Sequence, residues 1–542
     1  LTRMSSVFID TVGCPKNQDD SERMAGLLAA AGHSIVFTHE EADVIIVNTC
    51  GFIEAAKRES LETVFSYAPY KEDGKRLIVT GCLTQRYAAE LASDLPEADA
   101  LLGVNEYEKL PAVIASLAEL GGVEPETSLR VERRRREAEQ GASESGAEAE
   151  LDEPETSLRV ERRRREAEQG ASESEAEAEL CEAVASLSAV PLRTRRKARL
   201  ASEGLKPRLA SEGRKPRLAS EGRKPRLASE GRKPRLALSP RHSAYLKIAE
   251  GCSNHCAYCI IPSIRGPYRS FPIEQVIAEA ETLAAEGCKE LILIAQDLTR
   301  YGQDLYGHHA LAEFLKKLCA SDATKSIEWI RLLYCYEECV TDELIDVMAS
   351  EPKILKYIDM PLQHINDGIL SSMRRRSTSR SIKGAIARLR AAMPDIVIRT
   401  TFITGLPGET EQMFEELYAF IEGTRFDRLG VFAYSPEEGT DAALMPDQVD
   451  AETAEARRDA LMQLQQSISL ENNERLIGSV QDVLAEGSVD EGVYTGRTRA
   501  DAPEIDDEII FSAPAESDII GRIVKVRVTD AMDYDLIGEI IE

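Results

Sequence analysis

Short runs of β-branched and aliphatic residues alternate along this chain with longer stretches whose apolar positions recur at helical spacing. That alternation predicts strands separated by helices. In the first block, residues 4–120, the runs at 7–10, 43–48 and 76–80 read as strands, and 20–31, 52–67 and 85–91 read as helices. Strand and helix taking turns argues for an α/β unit on a parallel sheet. A second block, 241–450, repeats the pattern about six times, with strands at 245–249, 290–295, 328–333, 357–359, 397–403 and 428–434 and helices such as 273–286 and 411–421 between them. Six βα units predict a partial (β/α)6 barrel, with function at the C-terminal ends of its strands. A helical connector at 451–475 leads into a last block, 476–542, whose short β-type runs, 519–528 among them, predict a small β-barrel.

The segment 121–240 breaks this pattern. Residues 124–151 recur at 153–180 with one difference, Gly146 against Glu175, and a nonapeptide Pro-Arg-Leu-Ala-Ser-Glu-Gly-Arg-Lys then cycles from Pro207, Pro216 and Pro225 to Pro234. These units hold few large apolar residues and no aromatics, so they cannot bury a core, and a flexible, disordered insertion is expected. Its stretch 183–240 carries 16 basic and 4 acidic residues, enough to touch RNA or an acidic surface of its own protein; a repeat inserted by slippage in a linker is the plainer reading.

Composition narrows the function. The 542 residues carry a net charge of −28, and the blocks outside 121–240 are more acidic still, at −31. Such a chain is a poor general binder of polyanions, since phosphate contacts need Lys and Arg. No apolar run approaches the roughly 20 residues of a spanning helix, so no membrane association is expected. Leu1-Thr2-Arg3-Met4 leads straight into a strand-like stretch, so no signal peptide is expected either. Eleven cysteines in so long a chain are too sparse for a disulfide scaffold and suit reduced, metal-holding thiols in a cytoplasmic enzyme.

The densest chemistry is Cys252-Ser-Asn-His-Cys256-Ala-Tyr-Cys259, in the loop after the first barrel strand. Three thiolates can hold three irons of a [4Fe–4S] cluster and leave the fourth open. Structural zinc would want a fourth ligand, and His255 inside the run is badly placed to be one. In the first block, Thr11-Val-Gly-Cys14-Pro-Lys-Asn17, Asn48-Thr-Cys50-Gly-Phe52 and Thr80-Gly-Cys82 each place a cysteine just after a predicted strand. Neighbouring strand ends in a parallel sheet would let the three thiols converge; core thiols are the alternative.

The Cys-x3-Cys-x2-Cys run after strand one of a partial barrel resembles the radical S-adenosylmethionine (SAM) enzymes. With the dispersed triplet, the chain resembles the radical SAM methylthiotransferases over nearly its whole length outside 121–240. The resemblance implies a SAM-binding cluster on Cys252, Cys256 and Cys259, and a second [4Fe–4S] cluster on Cys14, Cys50 and Cys82 that holds or delivers sulfur. One SAM would give the methyl group and another the radical. The stretches Gly13-Cys14-Pro15-Lys16-Asn17, Ile260-Ile-Pro-Ser-Ile-Arg-Gly266, Phe432-Ala-Tyr-Ser-Pro436 and Asp501-Ala-Pro-Glu-Ile-Asp506 look like the RimO-type branch, which modifies the β-carbon of an aspartate in a small-subunit ribosomal protein (protein twelve). The sister branch modifies an adenosine in tRNA, and a non-catalytic metal-cluster RNA-binding factor is a third reading.

The last block resembles a TRAM domain, yet residues 475–542 hold 16 acidic and 6 basic residues. Such a surface suits a basic ribosomal protein, free or on the small subunit, better than tRNA, so direct tRNA binding is not expected. A reducing donor such as a flavodoxin or ferredoxin is implied. A SAM pocket is expected at strand ends, around Gln296, Asp297, Gln363, Thr401 and Gly405, with Tyr334 and His364 nearby. Arg374, Arg375 and Arg376 read as a phosphate site or, more plainly, a solvated helix end. Cys288 and Cys319 read as core residues, and Cys335 and Cys339 have no evident ligand partner.

Overall fold

The structure, a computed structural model, describes residues 4–119 and 234–541 apart from Glu516. Cys181 and the repeats before Pro234 lie outside the described residues. Residues 4–88, 97–119 and 234–541 fall in one compact unit, and residues 89–96 in another.

The N-terminal sheet has five parallel strands, β1 (Ser6–Thr11), β2 (Ser34–Ile35), β3 (Val44–Thr49), β4 (Arg76–Gly81) and β5 (Ala100–Gly103), in the order β2-β1-β3-β4-β5. Central β3 is buried at every residue, as its unbroken Val-Ile-Ile-Val run requires of a strand covered on both faces. The helices are α1 (Pro15–Ala30), α2 (Glu54–Tyr67), α3 (Cys82–Arg86), α4 (Ala88–Asp94) and α5 (Leu110–Glu119). Strands β2 and β5 went unforeseen, since two and four residues are too short to show a period. Helix α1 begins earlier than its apolar pattern. Pro15 occupies its first turn, where a missing N–H costs nothing, and Cys14 sits at the cap. The helix expected at 85–91 is two short helices broken at Tyr87.

The second block is an open six-stranded parallel sheet. It runs from β6 (Ser243–Lys247) through β9 (Glu290–Ile294), β10 (Trp329–Leu332), β11 (Ile354–Gln363) and β12 (Val397–Thr404) to β13 (Arg428–Ala433), with a small hairpin of β7 (Ala249–Glu250) and β8 (Arg269–Ser270) after the first strand. This is the expected partial barrel, and its aliphatic core lies between the sheet and the outer helices. Strand β11 is far longer than the expected 357–359, because its polar Lys356 and Asp359 conceal the pattern. After β12, Gly405 takes φ +75°, and a methyl group there would stand 2.2 Å from Cβ of Ala454 on the helix Ala451–Glu474. The last block closes into a barrel of β14 (Val480–Asp490), β15 (Val493–Thr498), β16 (Ile509–Ser512), β17 (Ile523–Ala531) and β18 (Leu536–Ile540).

Ion pairs fix these blocks to one another. Helix α1 presents Asp19, Asp20, Glu22 and Arg23, all buried. Asp20 pairs with Lys247 of β6 and, at 3.0 Å, with Arg265; Arg23 reaches Asp19 and Glu279, each at 2.8 Å. Glu250 closes the set on Lys247 at 2.7 Å and Arg265 at 3.2 Å. The stretch 234–240, expected to be flexible as the end of the insertion, instead lies along α1: Arg235 is buried against Glu22, Asp19 and Glu279, and Leu236 and Leu238 pack on the N-terminal core. Between the barrels, fully buried Glu290 receives Arg331 at 2.7 Å and Arg497 at 2.5 Å, while Arg428 binds Asp501 at 2.6 Å and Arg399 binds Asp506 at 3.1 Å.

Two outcomes follow for stability. Burial alone would raise the Glu290 carboxyl, but Arg497 and Arg331 hold it down at about 2. Its contribution is therefore complete above the ordinary value of 4.5 and is lost as pH falls from there through about 2. Glu290→Gln, which leaves buried guanidinium charge unmatched, is expected to cost about 3–5 kcal/mol in denaturant unfolding at pH 7. Gly405→Ala, which meets Ala454 and a positive φ together, is expected to cost about 1–3 kcal/mol in the same measurement.

Candidate functional site

Parallel register places three cysteines side by side. Thr11 pairs with Asn48, Asn48 with Thr80, and Thr49 with Gly81, so β1, β3 and β4 end at one level. Cys50 and Cys82 follow β3 and β4 directly, and Cys14 follows β1 after Val12 and Gly13. Buried Asn17 stitches the ends together, its side-chain amide donating to the carbonyls of Val12 at 2.7 Å and Thr49 at 3.1 Å. The Cys50 amide donates to Oγ of Ser60 at 2.9 Å, and Cys82 Sγ lies 3.9 Å from Oδ1 of Asn17. The turn that carries Cys14 runs so close to Cys50 that a methyl group on Gly13 would come within 2.7 Å of its Cβ and 3.2 Å of its Sγ. Burial raises the Cys50 thiol to about 12, helped by Cys14 and Cys82, and raises Cys82 to about 11.

The second cysteine set follows β7 on the barrel's functional rim. The loop is pinned by Asn254, whose amide N–H lies 3.4 Å from Cys252 Sγ and whose side chain donates to Asp297 at 2.9 Å. Cys259 turns back so that its N–H meets the Cys256 carbonyl at 3.0 Å. Burial raises Cys252 to about 11 and Cys259 to about 12.

The segment after Cys259 joins the two sets. Its helix α6 (Ile261–Arg265) carries Ile264, which with Ile260 packs against Cys82, Val104 and Phe52. Arg265 crosses to the N-terminal sheet and donates to Oδ1 of Asn17 at 2.7 Å while pairing with Asp20 and Glu250. A guanidinium six positions beyond the barrel's third cysteine thus helps set the turn that bears Cys14. On the other side of that turn, Lys16 is buried with its Nζ 2.9 Å from the centroid of the Tyr334 ring, just beyond β10. Burial lowers this ammonium to about 8.

Among residues expected at the SAM pocket, Gln296 donates to Glu250 at 3.0 Å and leaves its buried Oε1 without a partner among the described residues. Asp297 is occupied by Asn254, by the Thr299 hydroxyl at 2.9 Å and by the Arg300 amide at 3.2 Å. Gln363 has φ +72°, Thr401 lies within β12, and the Gly405 amide donates to Glu409 at 2.9 Å. None of the five lines the cavity of about 120 Å³ beside Cys256, which is walled by Ser253, Asn254, His255, Tyr336, Glu338 and the three arginines. The helix-end reading of those arginines holds for exposed Arg374 and Arg376 but not for Arg375. That side chain is buried, stacked at 4.5 Å on Tyr336, and two of its nitrogens lack partners among the described residues. Sequence reasoning also gave no role to Lys16 or Arg265, which stood inside quoted motifs. Cys288, Cys319 and Cys335 pack with the barrel core.

The donor sets suit iron–sulfur chemistry. No disulfide involves the ten described cysteines, and thiolate is the ligand of such clusters. Among the described residues no three His, Cys, Asp or Glu side chains stand close enough to cage one metal ion. A four-iron cube makes no such demand, since it takes each thiolate on a separate iron. Among the described residues no helix is long and apolar enough to cross a membrane.

Comparison with known proteins agrees with this architecture. Residues 6–103 match the uncharacterized protein family UPF0004, residues 246–421 the radical SAM superfamily, and residues 477–541 the TRAM domain. A solved radical SAM methyltransferase, TsrM from Kitasatospora setae, superposes with a TM-score of 0.48 at 12% identity, covering 93% of this chain and 82% of that one, and adds nothing to the assignment. The relatives are far nearer. The ribosomal protein uS12 methylthiotransferase RimO of Clostridioides difficile is 38% identical, covering 99% of both chains. The protein of that name from Geobacter sulfurreducens is 40% identical, over 99% of this chain and 98% of its own. At that identity and coverage, the chain belongs to the RimO family of radical SAM methylthiotransferases.

Proposed function

We propose that this chain adds a methylthio group to the β-carbon of an aspartate in ribosomal protein uS12, using SAM and two [4Fe–4S] clusters. Cys252, Cys256 and Cys259 hold the SAM-binding cluster and Cys14, Cys50 and Cys82 the second. The observation that carries this reading is the joining of the two cysteine sets through α6, which packs on Cys82 and sends Arg265 to Asn17. When bound, the clusters and SAM supply the radical that removes hydrogen from an unactivated carbon, and the methylthio group that replaces it.

The chain's own residues hold and enclose. Asp297 fixes Asn254 and with it the loop of the barrel cysteines. Arg265, Asp20, Lys247 and Glu250 set the N-terminal sheet on the barrel rim with every charge matched. Ile260, Ile264, Val104 and Phe52 keep water from the buried side of Cys82. The acidic last block supports a basic protein substrate over tRNA, although Glu486, Asp501 and Asp506 are engaged by Arg497, Arg428 and Arg399 rather than presented to a partner. Electrons would come from a small donor such as a flavodoxin or ferredoxin, and a cytoplasmic setting suits both thiols and substrate.

The test is anaerobic reconstitution followed by incubation with SAM, reductant and either purified uS12 or tRNA. Mass mapping is expected to find one methylthio group on a uS12 aspartate and none on tRNA; a tRNA product without a protein product would overturn the substrate. Replacing Cys14, Cys50 and Cys82 together by alanine is expected to halve the bound iron and abolish methylthiolation while SAM cleavage persists. The same change at Cys252, Cys256 and Cys259 is expected to halve the iron and abolish SAM cleavage.

A further inference from the structure

Lys16 is an anomaly among the buried cations around the N-terminal cysteines. Arg23, Arg235, Lys247 and Arg265 each meet carboxylates. The Lys16 ammonium has no ion pair or hydrogen bond among the described residues; it lies on the face of Tyr334, and the neighbouring group that favours its charge most is the Cys14 thiol. It lies in the first turn of α1, the end of a helix that repels a cation. The carboxylates that act on it are committed elsewhere, Asp359 to Arg399 at 2.9 Å and Glu250 to Lys247 and Arg265. Tyr334 beneath it is held at φ +62°, a conformation rare for a bulky side chain, by its amide's bond to Asp359 at 3.0 Å and its carbonyl's bond from the Leu298 amide at 2.9 Å. A buried charge at the wrong end of a helix, stacked on a strained ring, is costly to the fold and wants an anion from outside.

We infer that Lys16 binds the side-chain carboxylate of the substrate aspartate. The inference rests on the aspartate reading above and deepens it. An ammonium brings three donors, and the ring contact fixes its position without using an acceptor. A carboxylate placed on it would form a charge-assisted hydrogen bond two residues from Cys14. The β-carbon is bonded directly to that carboxylate carbon, so holding the acid group holds the reacting carbon at the N-terminal cysteine set. It also gives a physical basis for choosing aspartate over asparagine, which has the same shape and no charge.

The experiment measures binding of uS12 to the reconstituted holoenzyme without SAM, with native uS12 and with uS12 whose target aspartate has been changed to asparagine. The wild-type chain is expected to prefer the native protein at least tenfold. Lys16→Met is expected to bind both forms equally and weakly with iron and sulfide content unchanged, and Lys16→Arg to retain the preference. The inference is overturned if Lys16→Met keeps the wild-type preference, if Lys16→Arg behaves like Lys16→Met, if wild type does not discriminate, or if Lys16→Met loses iron, which would make Lys16 a counter-charge for the cluster. Failure of the underlying reading is separately visible as wild-type enzyme that adds no methylthio group to uS12.

Discussion

One helix carries the charges on which the arrangement of the cysteines depends. Asp19, Asp20, Glu22 and Arg23 of α1 are buried, and they meet Arg235, Lys247, Arg265 and Glu279 across the seam with the barrel. Removing so many charges from water is expensive, and the loss is offset only if nearly every one finds its partner. A small slip of sheet against barrel would strand several at once. The network therefore selects one relative placement, and because α1 begins at Cys14, that placement is also the position of the first thiol.

The electrostatics of the two cysteine sets follow from the same burial. Burial pushes the thiols of Cys50, Cys82, Cys252 and Cys259 upward, Cys82 beneath Ile260 and Ile264, so that they remain protonated near neutrality. Iron must displace those protons, so cluster loading is coupled to proton release. Arg265 and Arg375 bring positive charge toward sites that gather anionic sulfur. The acidity of the C-terminal barrel is divided differently from its sequence count: part of it, Asp506 and Asp501, anchors that barrel to Arg399 of β12 and Arg428 of β13, and the remainder is left for the surface.

Much of this was legible in the chain itself. Strands β1, β3, β4 and β6 show as short apolar runs, and their ends located all six cysteines, because parallel strands in register finish side by side. Lone short strands such as β2 carried no period to read. Charged residues were misjudged for a related reason: Arg375, Arg265 and Lys16 are polar in sequence, and only three-dimensional pairing or its absence separates a buried charge from a solvated one. The same holds for the repeat's final copy, whose composition argued for flexibility while Glu22, Asp19 and Glu279 supplied the partners that its composition lacked.

That final copy bears on how the chain tolerates its insertion. The tetrapeptide Pro234-Arg235-Leu236-Ala237 is spelled identically from Pro207, Pro216 and Pro225, but only the last is followed by Leu238, which with Leu236 seats in the aliphatic core beside α1. Duplication or deletion of whole upstream units lengthens or shortens the chain before Pro234 and leaves this clasp unaltered. Selection on the enzyme would therefore be nearly blind to the number of units, and related strains should differ in repeat count far more freely than in the five residues that fasten its end.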